Sequence, residues 1–267
     1  MKILNLRKLK KKDLLVFDLD GTLIRTKSPM DAIMSKLLVR LLAVKKVAII
    51  GGGQYSVFQE LFLRRFKCPK ELLKKLFLFP TTSTVFYKYK HGWKKIYALP
   101  LNKSDVSKIR KAFKDVFKEI NYKHPEKTYG QLIENRGTQV SFSVYGQDLV
   151  RVLGKKGVKM KERWLRNNFK TKMKIAGLVA KKLPNFEVRA AGFTTIDVTK
   201  KGIDKAYGIR QIQKHLKIPI SKMFFIGDAI FPGGNDYAVV RTGVDYMPVK
   251  NPEEAKKIIN VLAKVEK

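Results

Sequence analysis

The N-terminal part of the chain opens with two patterns of apolar positions. Residues 14–18 read Leu-Leu-Val-Phe-Asp, a short continuous apolar run that is typical of a strand buried in a parallel sheet. Ser28, Pro29 and Asp31 then form a helix-start signal, with Ser28 as the N-cap and Pro29 in the first helical position. Because apolar residues recur at helical spacing from 33 to 42, the pattern predicts a strand followed by a helix.

This alternation of strand and helix continues and returns near the C-terminus. Residues 46–50 predict a second strand, closed by Gly51–Gly53 before a helix that extends through Phe66, and residues 69–79 predict a further helix and strand. Three more elements are predicted late in the chain: a helix over 205–216, a strand over 223–226 and a last helix from Pro252. Such alternation predicts an α/β fold with a doubly wound, Rossmann-like core.

The middle of the chain has a different pattern. Its predicted elements are a hairpin over 85–99 that turns at His91-Gly92, a helix over 105–120, a strand over 139–145, a helix over 161–183 and an extended segment over 186–198. Helices mixed with antiparallel-looking strands indicate an inserted α+β domain. The predicted division is a first core segment at 1–97, the inserted domain at 98–198 and a second core segment at 199–267.

The chain is strongly basic, with 57 Lys and Arg residues against 22 Asp and Glu residues and a formal net charge of +35. A surface of this charge attracts phosphates and nucleic acids. The lysines are spread along the whole chain, however, and the densest stretch, 151–182, is typical of solvent-facing helix surfaces without an aromatic-interleaved nucleic-acid signature. A small phosphorylated substrate is therefore favoured over nucleic acid as the partner.

Cysteine and histidine are too sparse to build a metal site or a disulfide framework. Cys68 is the single cysteine and the three histidines are scattered, which excludes an internal disulfide and the Cys/His zinc spacings. The apolar stretch at 33–50 carries four cations, and no signal-peptide pattern precedes it. We therefore expect a cytoplasmic monomer or dimer without a membrane partner, whose metal chemistry rests on carboxylates.

Acidic residues follow two of the predicted core strands. Asp18 and Asp20 end the first strand ahead of a glycine, and Asp228 and Asp236 follow the late core strand. Because ligands bind at the carboxyl ends of the strands in doubly wound sheets, we expect the four acids to gather in one cleft. Four carboxylates repel one another, and Mg²⁺ together with a lysine such as Lys205 would balance their charge.

The order of these motifs resembles that of the haloacid dehalogenase superfamily of phosphotransferases over nearly the whole chain. The matching segments are Asp18-Leu-Asp-Gly-Thr-Leu23, Ile203-Asp-Lys205 and Ile226-Gly-Asp-Ala-Ile-Phe-Pro-Gly-Gly-Asn-Asp-Tyr237. The long insertion between Gly53 and Lys205 is similar to that of the C2-capped, type IIB branch, and Ile133-Glu-Asn-Arg136 resembles the eukaryotic-type phosphomannomutases within that branch. The resemblance implies a core with a C2-type cap that supplies specificity.

The resemblance also implies a role for each of these charged residues. Asp18 would be the nucleophile that forms an aspartyl-phosphate, and Asp20 would protonate the leaving oxygen and then act as the base. Lys205 would neutralise the phosphoryl oxygens. Asp228 would hold Mg²⁺ beside Asp18 and the Asp20 carbonyl, and Asp236 would support Lys205 or a metal-bound water. The expected cofactor is therefore Mg²⁺, held by this acidic set.

Substrate contacts follow from the same resemblance. Arg136 matches a cap arginine that grips phosphate or sugar, and Thr195 and Asp197 match residues that face sugar hydroxyls. Gly53 stands where the family has a Ser or Thr that binds the transferring phosphate. Main-chain amides around Gly53 and Gln54 would have to bind it instead.

One departure decides between two activities of the family. Gln147 stands where the mutases carry a second cap arginine, and glutamine does not replace arginine as a phosphate clamp. The expected function is therefore a Mg²⁺-dependent phosphatase that hydrolyses a small phosphorylated metabolite, in particular a sugar phosphate, through an aspartyl-phosphate. A phosphomannomutase-type phosphosugar mutase is the alternative. A basic nucleic-acid-associated protein on the same scaffold is a second alternative, which the complete set of Asp18, Asp20, Lys205 and Asp228 disfavours.

Overall fold

The computed structural model describes Leu9 and residues 11–263, which divide into two units. The core unit extends to Ala98 and resumes at Asp204, and the insert unit covers Leu99–Ile203. The predicted boundary at 97/98 is one residue early. The predicted boundary at 198/199 is five residues early, because it falls inside a strand that continues to Lys200.

The regular elements are labelled here in chain order. The strands are β1 (Leu14–Asp18), β2 (Lys46–Ile50), β3 (Leu76–Phe79), β4 (Val85–Tyr89), β5 (Trp93–Ala98), β6 (Ile133–Asn135), β7 (Val140–Ser143), β8 (Phe186–Ala191), β9 (Thr195–Lys200), β10 (Met223–Gly227) and β11 (Asp245–Pro248). The longer helices are α1 (Ala32–Val44), α2 (Lys103–Glu119), α3 (Leu149–Lys182), α4 (Lys205–Leu216) and α5 (Pro252–Ala263). Short helical segments cover Tyr55–Val57, Phe58–Phe62, Leu63–Arg65, Lys70–Leu73, Pro80–Ser83, Ile220–Lys222 and Tyr237–Thr242.

The core unit is built on a sheet with the strand order β11-β10-β1-β2-β3-β4-β5. The pairings from β11 to β3 are parallel, and β4 and β5 join as an antiparallel hairpin. Helices α1 and α5 share a hydrophobic cluster with Leu15 and Phe17 of β1, whereas α4 packs with Leu14 and Val16. Since both faces of the sheet are covered, β1 is buried along its whole length, and the predicted doubly wound α/β core is confirmed.

The first helix begins later than its sequence signal predicts. The N-cap of α1 is Asp31, whose side chain accepts a hydrogen bond from the main-chain N–H of Met34 at 2.9 Å. The prediction of Ser28 as N-cap is wrong because the N–H of Met30 donates to the carbonyl of Leu61 at 2.7 Å, a tertiary contact that holds this segment outside the helix.

The segment after β2 also differs from its prediction. A continuous helix through Phe66 was expected, but the chain passes through one short α-helical turn, a π-helical stretch at Phe58–Phe62 and a 3₁₀ turn at Leu63–Arg65. Phe58 and Phe62 are fully buried in the core cluster. These two buried rings are the first and last residues of the π-helical stretch, which is wider than an α-helix.

The insert unit combines an antiparallel sheet, in the order β6-β7-β9-β8, with helices α2 and α3. On one face of the sheet, Phe142 and Val198 pack in a hydrophobic cluster with Phe113 of α2 and Val179 of α3. Because side chains alternate along a strand, the neighbouring residues such as Ser141 belong to the opposite, polar face. This α+β arrangement is the one predicted for the insertion.

Helix α3 is longer than predicted and is not straight. It runs from Leu149 to Lys182, with non-helical backbone angles at Gly154 and Asn168, and buries Ile175 and Val179. Among the described residues, no helix has both the length and the apolar composition that spanning a membrane requires.

Candidate active site

The carboxyl end of β1 places the first two acids. Asp18 is the last residue of β1 and is 4% exposed, because β2 and β10 flank it in parallel register. Asp20 lies in the following loop, where its Oδ1 accepts a hydrogen bond from the N–H of Lys27 at 2.8 Å. One oxygen of the Asp20 carboxylate is therefore fixed by the loop, which orients this side chain beyond the strand end.

Lys205 reaches Asp18 from the first position of α4. The N-cap of this helix is Asp204, whose Oδ1 accepts from the N–H of Tyr207 at 2.8 Å and whose Oδ2 is paired with Arg241. The Lys205 ammonium, which is buried, donates to Oδ1 of Asp18 and to Oδ1 of Asp236. The capped helix start thus fixes the cation between two carboxylates.

Asp228 follows β10 and lies against the loop that comes after Asp18 in the chain. Thr22 Oγ1 donates to its Oδ1 at 3.4 Å. A Cβ atom at Gly21, where φ is +90°, would lie 2.3 Å from Oδ2 of Asp228. Only glycine combines this backbone angle with so close an approach, so the Gly after the Asp-x-Asp pair makes room for the second acidic motif.

The loop that follows β10 turns back and places Asp236 beside the end of that strand. Its Oδ2 accepts from the N–H of Ala229 at 3.0 Å, and a Cβ at Gly227 would stand 2.3 Å from that same oxygen. With Oδ1 held by Lys205, both oxygens of Asp236 have protein donors. This arrangement makes Asp236 the partner of Lys205, the first of the two roles that the sequence resemblance implies for it.

The charges of this cluster do not balance. The oxygens of Asp18, Asp228 and Asp236 lie within 4.8 Å of one another, with Lys205 as the ammonium bonded to two of them. Burial raises the pKa of Asp18 well above its usual value, Lys205 opposes this, and the charges of Asp236 and Asp228 raise it further. Burial and the charge of Asp236 raise the pKa of Asp228 to about 6. Burial alone would lower the pKa of Lys205, but the two carboxylates outweigh it and hold that pKa above its usual value.

The donor set fits a divalent cation. Three carboxylates and one ammonium leave two surplus negative charges in a buried site, and the raised pKa values of Asp18 and Asp228 express the cost of that surplus. Mg²⁺ prefers one or two carboxylates together with water and phosphate oxygens. Asp18 and Asp228 offer oxygens that Lys205 does not occupy, whereas the side chain of Asp20 is not part of the acidic cluster.

The loop after β2 forms the adjoining part of the same sheet edge. Gly53 is buried and Gln54 is half-buried at the start of the short helix Tyr55–Val57. The carbonyls of Gly51 and Gly53 accept hydrogen bonds from the N–H groups of Thr82 and Thr81, at 2.9 and 2.8 Å. Gly53 and Gln54 therefore lie at the strand edge where Asp18 lies, as expected for an α/β site.

A strained turn after β3 was not anticipated from the sequence. Thr81, Thr82 and Ser83 all have left-handed φ angles, of 47°, 55° and 67°, and all are buried. Left-handed β-branched residues are costly and concentrate at functional sites. No sequence signal indicates this turn, because threonine is an unfavourable residue for it.

The predicted substrate residues of the insert unit lie on the polar face of its sheet. Arg136 donates through Nε to Glu134 Oε2 at 2.6 Å and through Nη2 to Gln147 Oε1 at 2.9 Å. Gln147 in turn donates to the carbonyl of Ser141 at 3.0 Å. The glutamine that replaces the second arginine thus fixes the first arginine and adds no positive charge.

Asp197 belongs to the same hydrogen-bonded network, and Thr195 lies near it on β9. Ser141 Oγ donates to Asp197 Oδ1 at 2.5 Å, and Gln139 donates to that hydroxyl at 2.9 Å. Thr195 lies opposite Ser143 in the sheet register. The polar face therefore carries a fixed guanidinium at Arg136 and a fixed carboxylate at Asp197.

Two positioning residues were missed in the sequence. Asp204 could have been found, since an acid directly before a predicted helix is an N-cap signal. Arg241, its ion-pair partner, has no local signal, because the two residues are brought together only by the packing of α4 against the Tyr237–Thr242 turn.

Comparison with known proteins identifies the family. A model of the haloacid dehalogenase-like hydrolases matches residues 83–240. A phosphomannomutase of Encephalitozoon cuniculi (strain GB-M1) is 26% identical over 263 residues, which cover 95% of each chain.

Solved structures share the fold. The N-terminally truncated, IMP-bound IMP-nucleotidase of Plasmodium falciparum matches with a TM-score of 0.70 and 18% identity, over 98% of this chain and 72% of that chain. The C-terminal domain of trehalose-6-phosphate phosphatase from C. albicans matches with a TM-score of 0.60 and 16% identity, over 99% and 97% of the two chains. Since the family model covers more than half of the chain, and the chain has the acidic strand ends and the insertion described above, this protein belongs to the haloacid dehalogenase-like hydrolases.

Proposed function

We propose that this enzyme is a Mg²⁺-dependent phosphatase that hydrolyses a small sugar phosphate through a phosphoryl-enzyme at Asp18. The observation that carries the proposal is the buried contact of Asp18 with Lys205, next to Asp228, at the carboxyl end of β1. A carboxylate attacks a phosphoryl group only where the negative charge between them is offset. Lys205 supplies one such positive charge.

The first chemical step uses Asp18 and Asp20. A carboxylate oxygen of Asp18 forms a bond to phosphorus while the bond between phosphorus and the leaving oxygen breaks, and Asp20 delivers a proton to that oxygen. Lys205 holds the Asp18 carboxylate in place, and Asp236 holds Lys205. Fixed positioning of this kind accounts for much of the rate of phosphoryl transfer.

The second step returns the free enzyme. Asp20, now a carboxylate, takes a proton from water, which attacks phosphorus and releases Asp18 and inorganic phosphate. A side chain in this acid–base role typically contributes about 10²–10⁴-fold to the rate. The loop hydrogen bond from Lys27 orients Asp20 and leaves its second oxygen for the proton.

Asp18 and Asp228 are the side chains that would hold Mg²⁺ in this proposal, together with the main-chain carbonyl of Asp20. When bound, Mg²⁺ supplies positive charge that cancels the surplus of the acidic cluster and that of the phosphoryl group. Asp236, which was included in the predicted metal set, is assigned to Lys205 instead because both of its oxygens already accept hydrogen bonds.

The residues of the insert unit are assigned to substrate selection. Arg136 is positioned by Glu134 and Gln147, and Asp197 by Ser141, so a cation and an acceptor are available for a phosphate and for hydroxyl groups. Thr195 adds a hydroxyl to the same set, and the amides at Gly53 and Gln54 are assigned to the transferring phosphate.

A phosphosugar mutase is the second candidate. It is favoured by the 26% identity to a phosphomannomutase over 95% of both chains. It is disfavoured by Gln147, because a mutase must hold a bisphosphate while the sugar reorients, and a neutral amide is a poor clamp for the second phosphate. A mutase would convert a hexose 1-phosphate to the 6-phosphate on addition of a hexose bisphosphate, without net release of phosphate.

The test is phosphate release with Mg²⁺ from a panel of hexose phosphates, nucleoside monophosphates and p-nitrophenyl phosphate. We expect release from a few hexose phosphates, and loss of that release in Asp18→Asn. The matched control is Asp13→Asn, an exposed acid directly before the same strand, which should retain full activity. Activity that survives in Asp18→Asn would remove Asp18 from the mechanism.

A further inference from the structure

The exposed side of α3 carries an unusual line of positive charge. The range 155–174 holds seven exposed cations, and six of them follow one another at intervals of three or four residues. These six form the α3 stripe: Lys155, Lys159, Arg163, Arg166, Lys170 and Lys174. Lys155, Lys159, Arg163 and Arg166 therefore lie on one side of a continuous helical run, and Lys170 and Lys174 lie on one side of the run that follows the non-helical Asn168. The opposite side, with Lys161, Lys172 and Ile175, is buried.

The α3 stripe is not neutralised by the protein itself. In the part of the chain that the structure describes, none of its six cations forms an ion pair, although ion pairs occur at both ends of the helix, between Arg151 and Asp148 and between Lys182 and Glu119. Glu162 is the single acid in α3. A ligand with several negative charges in a row would therefore not compete with carboxylates of the protein for these six cations.

Two large apolar side chains protrude within the same stretch, and one of them is an aromatic among the cations, contrary to the sequence expectation that this stretch lacks that signature. Phe169 is 56% exposed and Met173 is 41% exposed, one helical turn apart, and they are flanked by Arg166, Lys170 and Lys174. An exposed phenylalanine among cations is a stacking platform for a base when the phosphates of a single strand follow the positive charges.

We propose that the α3 stripe binds single-stranded RNA or DNA, with its cations along the phosphates and Phe169 stacked on a base. In the helical run from Lys155 to Arg166, the four cations span about 17 Å at 1.5 Å per residue, or one charge about every 6 Å. Phosphates of a duplex strand are about 3.4 Å apart along the axis, so this spacing suits an extended strand better. The binding is independent of the phosphatase reaction and uses none of its residues.

A single strand fits these observations better than an anionic membrane. An interfacial helix buries a continuous apolar face in the lipid, but the apolar side of α3 is already buried in the insert unit through Ile175 and Val179. In the range 155–174, the large apolar residues that are exposed are Phe169 and Met173.

The experiment measures binding of a fluorescein-labelled uridine oligonucleotide of about 20 residues by anisotropy, at a series of KCl concentrations. The protein used is Asp18→Asn, so that phosphate ends are not hydrolysed. Six phosphate contacts predict a slope of log K against log [KCl] of about −4, since each contact with a single strand contributes about −0.7. The triple variant Lys159→Gln/Arg163→Gln/Lys170→Gln should flatten the slope by about 2.

The matched control removes the same charges elsewhere. Lys36→Gln/Arg210→Gln/Lys214→Gln replaces two exposed lysines and one exposed arginine on α1 and α4, and it should leave the slope unchanged. An equal change of the salt slope in both triple variants would overturn the proposal, because it would show that the oligonucleotide binds the positive charge of the whole surface. An unchanged thermal midpoint in both variants establishes that they are folded.

Phe169 tests the mode of binding. Phe169→Ala should weaken binding of the single strand about tenfold with the slope unchanged, while binding of an RNA duplex of equal length changes little. Phe169→Tyr should restore the affinity. The proposal is overturned if no saturable binding occurs at low salt, or if vesicles of phosphatidylserine and phosphatidylcholine bind the protein through the stripe whereas the oligonucleotide does not.

Discussion

Replacement of Lys205 by methionine tests the charge balance of the acidic cluster. The substitution keeps the apolar stem of the side chain and removes the ammonium that is bonded to Asp18 and Asp236. Both carboxylates are buried, with side-chain exposures of 6% and 0%. Removal of one partner from a buried pair leaves an uncompensated charge, which costs about 3–5 kcal/mol of the free energy of unfolding.

The comparison variant is Lys256→Met on α5. Lys256 is also largely buried and also bonds two carboxylates, Asp31 at 2.7 Å and Glu253 at 3.0 Å, but those carboxylates are 50% and 52% exposed. Water can solvate them when the lysine is lost, so the expected cost is about 0–1 kcal/mol. Both lysines bond two carboxylates, so a difference in stability between the two variants measures the effect of burying those carboxylates.

The assay is urea denaturation of both variants at pH 8 in EDTA, so that no cation replaces the ammonium. The pKa of the unpaired carboxylates will lie above its value in the unfolded chain, so the penalty grows as the pH rises through the folded-state pKa and shrinks towards pH 5. A difference between the two variants below about 1 kcal/mol at pH 8, or a penalty that grows on acidification, would refute the reasoning.

Three further predictions have defined outcomes. Gly21→Ala should lower the free energy of unfolding by about 2 kcal/mol or more and abolish turnover, because its Cβ would overlap the Asp228 carboxylate. The control Gly177→Ala in α3, where the added Cβ meets open space, should raise the free energy of unfolding by about 0.5–1 kcal/mol. Equal urea midpoints for the two variants would contradict this prediction. Burial lowers the pKa of Lys172 to about 8, so between pH 8 and 10 the unfolded chain binds one more proton than the folded protein. As the pH rises through this range, the free energy of unfolding of the wild type should increase by about 2 kcal/mol relative to that of Lys172→Met. A difference in free energy that does not change with pH would place the Lys172 amine in contact with water. Arg136→Ala should impair hydrolysis of hexose phosphates and spare p-nitrophenyl phosphate, and equal loss on both substrates would remove Arg136 from substrate selection.

The core could be predicted because its strands carry their own signal. The strands β1 and β10, and β2 after Lys46, are apolar runs buried on both faces, and such runs can be read from the local sequence. The start of α1 could not be predicted, because the Met30–Leu61 hydrogen bond that displaces it joins residues whose proximity is a result of folding. The π-helical stretch at Phe58–Phe62 has the same origin in tertiary packing.

The acidic cluster was predictable in outline for a similar reason. Parallel strands bring their carboxyl ends to one edge, so Asp18 and Asp228 were expected at the same edge of the sheet, and the pairing of β1 with β10 makes them neighbours. The full engagement of Asp236 was not predictable, because it depends on the return of its loop to Ala229 and on the position of Lys205 at the start of α4. The hydrogen bonds of Arg136 to Glu134 and Gln147 likewise depend on the register of the insert sheet.

The most direct test of the proposed mechanism is to trap the phosphoryl-enzyme. The protein is mixed with Mg²⁺ and the best hexose phosphate, quenched in acid during turnover, digested with trypsin and analysed by mass spectrometry. The account predicts one added phosphoryl group on the peptide of residues 13–25, located at Asp18 and absent from Asp18→Asn. Turnover that leaves Asp18 unmodified while another residue carries the phosphoryl group would contradict the account.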